Sequence, residues 1–221
     1  PYIIGRVNQD FANNGKLNQT SSAGLDAKIS VTSSLNLDVT INSDFSQVDV
    51  DKQVTNLTRF SLFYPEKRTF FLENSDLFSN FGFSQIRPFF SRKIGLHSDN
   101  GINTPIPILA GARLSGRVDE NWRVGLMSMQ TGEKIDTANG IYAKAQNYTV
   151  AAFQRRIFKT SNIAGIFVNR QTFNKSELVG NDFNRIARLD FNLASTDNKW
   201  KGKFFYHQAI TPQKMKEQYA H

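Results

Sequence analysis

The chain contains no cysteine, which excludes a disulfide framework and a thiolate metal site. That suits a protein that crosses the periplasm, although many cytosolic proteins also lack cysteine. Long apolar runs are missing too. Ile106-Pro107-Ile108-Leu109-Ala110 falls far short of the roughly 20 residues a membrane-spanning helix needs. A helical membrane protein is therefore excluded. A β-barrel is not, because its strands need only about 10 residues of alternating character. Histidine is scarce: His97, His207 and His221 lie far apart without ligand spacing, so no metal and no histidine-based catalysis is expected. Asp44, Asp49 and Asp51 do not match an EF-hand loop. Gly-rich phosphate loops and a nucleophile-elbow serine are absent, so neither a catalytic residue nor a cofactor is expected.

The net charge is +8, yet the 27 Lys and Arg residues are spread through strand-like segments without forming a patch. With no RNA-binding aromatic signature, zinc finger or helix-turn-helix pattern, no nucleic-acid partner is expected. The 221 residues suffice for one domain. The chain opens at Pro1-Tyr2-Ile3 and closes on a polar tail from Gln213 to His221, which reads as a piece of something longer.

What is present is period-two alternation bounded by short polar turns. Leu25, Ala27, Ile29 and Val31 alternate with Asp26, Lys28 and Ser30. After Thr32-Ser33-Ser34, the residues Leu35, Leu37, Val39 and Ile41 alternate with Asn36, Asp38, Thr40 and Asn42. Further hairpins are expected over residues 106–130, 142–172 and 187–207, with another strand at 2–11. The count is about eight or nine, and an odd number would mean strands missing at one end. Connections at 32–34, 118–121, 159–162 and 195–199 are short, whereas those at 46–104, 131–141 and 173–184 are long. Short and long alternate along the chain, as tight periplasmic turns and long extracellular loops do in an outer-membrane barrel. A soluble sandwich has little reason to keep that rhythm. Trp122 and Trp200 each follow a short turn, where an interfacial girdle would lie.

Residues 46–104 break the pattern and are too long for an idle loop. They hold Phe60, Phe63, Tyr64, Phe70, Phe71, Phe78, Phe81, Phe83, Phe89 and Phe90 among interleaved charges. So many aromatics are expected to pack together, inside a barrel mouth or as a cap over it. Three runs stand out within and before this segment. They are Asn42-Ser43-Asp44-Phe45-Ser46-Gln47-Val48, Asn56-Leu57-Thr58-Arg59-Phe60, and Phe63-Tyr64-Pro65-Glu66-Lys67-Arg68-Thr69-Phe70-Phe71-Leu72-Glu73-Asn74. With Phe89-Phe90-Ser91-Arg92-Lys93-Ile94-Gly95, they closely resemble the signature of a family of unknown function common in Bacteroidota. The likeness is good over roughly residues 22–130, with Thr69 where proline is common and Tyr64 where phenylalanine is common. It implies an outer-membrane barrel, usually found C-terminal to a domain similar to family-9 carbohydrate-binding modules. That module is absent here, so its sugar-binding role does not carry over.

The expectation is therefore an all-β, antiparallel up-and-down transmembrane barrel, in part or whole, in the bacterial outer membrane. Residues 46–104 would form an inserted cap or plug, pinned by an ion-pair network of Arg59, Glu66, Lys67, Arg68, Glu73, Arg92 and Lys93. Asp26, Lys28, Arg113, Arg117, Arg188, Asp190, Lys201 and Lys203 would face the lumen. Lipid is the first expected partner, then other outer-membrane proteins and a glycan or anionic solute, since a basic lumen favours anions. The function expected is a channel, a surface-binding protein or a component of a complex. The alternative is a carbohydrate-active or carbohydrate-binding surface protein using residues 46–104, with Glu66, Glu73 and Asp76 as paired carboxylates. Lys67 and Arg68 beside Glu66 would hold its pKa down, whereas a general acid needs it raised, so the sequence argues against an enzyme more than for one. A soluble β-sandwich is the third reading, and it requires the apolar stripes to meet in one core.

Overall fold

The computed structural model describes residues 1–10, 16–43, 66–83, 86–99, 102–136, 141–174, 177–197, 199–212 and 214–220. Arg59, Phe60, Phe63, Tyr64, Asp44, Asp49, Asp51 and His221 lie outside them.

The architecture is all-β and antiparallel. Ten strands form one sheet: β1 (Tyr2–Asp10), β2 (Lys16–Thr32), β3 (Leu35–Ser43), β6 (Ile108–Arg117), β7 (Trp122–Thr131), β10 (Ala145–Ile157), β11 (Ser161–Asn174), β12 (Glu177–Ala194), β13 (Lys201–Thr211) and β14 (Lys214–Ala220). Each strand pairs with the one before and after it in this order, an up-and-down meander. Two small hairpins, β4–β5 (Leu96–Asp99 with Ile102–Pro105) and β8–β9 (Lys134–Asp136 with Ile141–Ala143), stand apart from it. Closure is not found: β1 and β14 end the sheet and do not pair with each other among the described residues.

The pattern of alternation explains the strands. Leu25 pairs with Ile41, Ala27 with Val39 and Ile29 with Leu37, so the apolar residues of β2 and β3 share one face. The same phase runs across the sheet through Leu114↔Leu126, Phe153↔Val124, Phe167↔Ala187 and Leu189↔Tyr206. Connections at 33–34, 118–121, 158–160 and 195–200 are tight, and Phe158 takes a left-handed φ of 52° in the third.

Two segments differ from the sequence-based expectation. Residues 173–184 are not a long loop, because β11 runs to Asn174 and β12 starts at Glu177, with a bulge between Gln171 and Phe173. Asn181, Asp182 and Asn184 are polar whichever face they occupy, so this part of the ladder has no apolar rhythm to betray it. The polar tail likewise holds β14, which pairs with β13. Backbone hydrogen bonds hold a strand regardless of side-chain polarity.

Burial is inverted between the two faces. The apolar phase is bare: Ile29, Ile41, Leu126, Phe167, Leu189, Phe204 and Tyr206 are all exposed. The opposite face carries Met127, Met129, Val150, Ala152, Ile166 and Val168, together with Thr40, Arg113, Ser115, Arg188 and Asp190, and all of these are buried. A soluble sandwich needs its apolar stripes joined in a core, and this chain instead leaves them outside.

Candidate functional site

Residues 66–83 and 86–94, between β3 and β6, pack on the polar face. Within them, α1 (Thr69–Leu72) and α2 (Ser75–Ser79) are single turns, joined through Asn74 at a left-handed φ of 48°. Phe71, Leu77, Phe78, Phe81, Phe89 and Ile94 are buried and form one core with Met127, Met129, Val150 and Ile166 of the sheet. The aromatics need this core, since helices of four and five residues cannot stand alone.

Arg68 ties the two ends of this cap together. Its Nε and Nη2 donate to Glu66 at 2.9 and 2.8 Å. Nη1 donates to the Ile94 carbonyl at 2.7 Å and Nη2 to the Ser91 carbonyl at 2.6 Å, with the guanidinium 4.3 Å above the Phe71 ring. Glu66 also accepts from the Ser91 hydroxyl at 2.5 Å. Burial alone would raise the Glu66 carboxyl, but the hydrogen bonds and charge of Arg68, with Ser91, hold it below its ordinary value.

A series of polar contacts then pins the cap across the sheet. On β2 and β3, Lys28 forms an ion pair with Glu73, and Asn36 donates to Glu73 at 3.0 Å. On β6, Arg113 donates to the Glu73 carbonyl at 2.8 Å and pairs with Asp38 of β3 at 2.7 Å. Asn74 donates to the Ser115 hydroxyl at 3.2 Å. On β7, Arg123 grips Asp76 through two bonds of 2.6 and 3.0 Å. Beside it, Gly125 leaves room for α2: a Cβ there would lie 2.6 Å from the Phe78 ring. On β12, Asp190 accepts from the Gly82 amide at 3.4 Å, and Lys203 of β13 donates to the Gly82 carbonyl at 3.3 Å. The Lys28 hydrogen bond holds Glu73 below its ordinary value, and the Arg123 bond does the same for Asp76.

The residues expected in one cap network therefore divide. Glu66 and Arg68 form an internal knot, whereas Glu73 turns to the sheet and Lys28. Lys67 and Lys93 lie exposed, and Arg92 is half-buried. Of the residues expected on the polar face, Arg113, Arg188 and Asp190 are buried there and Lys203 is half-buried. Lys28 and Asp26 are exposed, Asp26 accepting from Thr40 at 2.6 Å. Arg117 and Lys201 lie exposed at strand ends. From sequence, Asn36 and Asp38 were read only as polar-phase residues of a strand, and Ser115, Arg123 and Gly82 were not expected at the site. Asp38 sits on the polar phase of β3 directly opposite Arg113, so knowledge of the β3–β6 pairing would have found it.

With Glu66 and Glu73 each engaged by a separate cation and held ionised, neither is set up as a general acid. Among the described residues, no group of three His, Asp or Glu side chains could hold a metal ion.

The family model described as Domain of unknown function (DUF5916) matches residues 1–219, and the chain belongs to that family. No curated protein and no solved structure matches it.

Proposed function

We propose that this member of the DUF5916 family is a membrane-embedded sheet of a bacterial outer-membrane barrel, in Bacteroidota as the resemblance implies. Its apolar face meets lipid, and its own cap fills the polar interior. The observation that carries this reading is the inversion: bare apolar residues on one face, buried ion pairs and a docked cap on the other. Water would penalise such an exposed apolar area, whereas lipid favours it.

Other features support the reading. β6, β7, β10, β11 and β13 run 10 to 14 residues, enough for tilted strands to cross a bilayer. Trp122, Phe158 and Trp200 cluster at the tight-turn end, and Arg155 stacks on Trp122 at 5.1 Å, as in an interfacial girdle. An open sheet in lipid would leave two unpaired edges, so closure by further strands is part of the proposal. Because Arg113, Arg123 and Arg188 each pair with an aspartate, an open basic pore has less support than a plugged barrel. Surface binding, assembly with other outer-membrane proteins, or gated passage of a solute are the roles open to it. The carbohydrate-based alternative has less support, since Phe71, Phe78, Phe81 and Phe89 are buried rather than presented to a sugar.

The test combines outer-membrane fractionation of the full-length protein with quenching by brominated lipids. With Trp122 and Trp200 replaced by Phe, a Leu189→Trp reporter should be quenched strongly by bromines deep in the acyl chains. Water-like emission without quenching would refute the lipid-facing assignment.

A further inference from the structure

The pairing of β12 with β13 sets Arg188 directly opposite His207 and Asp190 opposite Phe205 on the covered face. Asp190, wholly buried, accepts from Arg188 Nε at 2.5 Å, from Lys203 Nζ at 3.1 Å and from the Gly82 amide at 3.4 Å. The Arg188 guanidinium lies 3.8 Å above the Phe205 ring, and Phe83 meets that ring edge-on at 5.5 Å.

Arg188 thus uses one of its three nitrogens. Nη1 and Nη2 are buried and have no hydrogen-bond partner among the described residues, and neither has His207 Nδ1. Buried cationic donors without partners are costly and rare, so a group of this kind calls for an acceptor. Charge makes the same demand. Two cations, Arg188 and Lys203, face a single carboxylate, which leaves one positive charge uncompensated. The cap limits what can fit. Gly82 has a φ of +77°, and a Cβ there would lie 2.0 Å from the Ile86 carbonyl oxygen and 3.3 Å from Arg188 Nη1, so the Gly82 backbone lies close against the guanidinium.

The geometry points to a small-monoanion site between Gly82 of the cap and strands β12 and β13, taking a halide or a short carboxylate. Nη1 and Nη2 of Arg188 grip the anion as a fork, and His207 Nδ1–H is the third donor. Lys203, with a side chain 23% exposed, stands at the entrance. The anion balances the cluster and so favours the docked cap. This site depends only on the contact between cap and sheet and holds whether that sheet lies in lipid or in water.

The test is thermal unfolding of the full chain in mild detergent, titrated with sodium bromide, sodium formate or sodium gluconate at matched ionic strength. Bromide and formate should raise the melting temperature by several degrees with a saturating dependence, and the bulky gluconate should not. Arg188→Met should flatten the response. Lys203→Gln, at a partly exposed position that leaves the buried pair in place, should raise the bromide midpoint about two- to fivefold. An identical response to all three salts in the native chain would overturn the site, as would a bromide midpoint unchanged in Lys203→Gln. Crystals soaked in bromide should show an anomalous peak within hydrogen-bonding reach of Arg188, and a soaked crystal without one would also overturn it.

Discussion

Arg188 and Leu189 are neighbours in the chain, yet the arginine is 4% exposed and the leucine 50%. The same contrast divides the sheet as a whole. On the covered face, a core of Phe71, Phe78, Met129 and Ile166 is interleaved with Arg113–Asp38 and Arg188–Asp190 pairs. On the bare face, Leu25, Ile29, Leu126, Phe167 and Phe204 are all exposed. The hydrophobic effect alone does not choose which face the cap covers, because both faces offer apolar area. Glu73, Asn74, Asp76 and Gly82 all find their polar partners on one face only. These partly exposed polar contacts are thus worth more here as a choice of face than as net stability.

The comparison can be broken most forcefully from the covered side. Phe78→Ala should weaken cap docking by about 3–5 kcal/mol, as for other buried aromatics. Hydrogen exchange across residues 69–79 should accelerate while β10–β11 stays protected. If the proposed barrel is plugged by its cap, the same variant should conduct more than the native chain in a planar bilayer, and equal conductance would count against the plug. Arg113→Leu should cost about as much as the low end of that range, near 3 kcal/mol, because it strands Asp38 beneath the cap. Adding Asp38→Leu should recover most of the loss in a denaturant melt, whereas purely additive losses would mean the pair carries no coupling.

The bare side sharpens the comparison through its surroundings. Leu189→Lys should cost about 2–4 kcal/mol if that face lies near the middle of a bilayer. In water, an exposed site of this kind should respond by less than about 0.5 kcal/mol. Folding titrations into lipid vesicles separate the two.

The smallest effect is one of pH. Glu66 lies below its ordinary value of 4.5, so the folded chain binds fewer protons at this site than the unfolded one. Its contribution is complete above that ordinary value and is lost as pH falls through the lower, folded value. Proteolysis of the cap should therefore be flat with pH down to the usual carboxylate range and rise below it. Glu66→Gln should remove that rise. A cap that loosens near neutral pH would assign the sensitivity to other groups.

Much of the sheet was legible because its strands carry an uninterrupted two-residue rhythm. Leu35, Leu37, Val39 and Ile41 announce both a strand and its apolar face. The ends of β11 and β12 and all of β14 were not, because polar residues on both faces leave no rhythm. Within the site, Arg113, Arg188, Asp190 and Lys203 could be singled out as charges on the polar phase of a strand. Their partners could not. Asp38 lies 75 residues from Arg113 and Asp76 lies 47 from Arg123, separations that only strand pairing and cap docking convert into bonds. Glu66 and Glu73 stand seven residues apart in one run and look alike in sequence, but one is knotted inside the cap and the other holds it to β2.

Alternation along the backbone is a local property, so the sequence by itself determined an antiparallel, all-β chain with one apolar face and one charged face. Which face would be covered is a sum over contacts between residues far apart, and only the tertiary structure decided it. The cap settled on the charged side because Glu73 and Asp76 find cations there and the Asn74 amide and Gly82 backbone find the buried Ser115 and Asp190, while its phenylalanines fill the space that Gly125 leaves open.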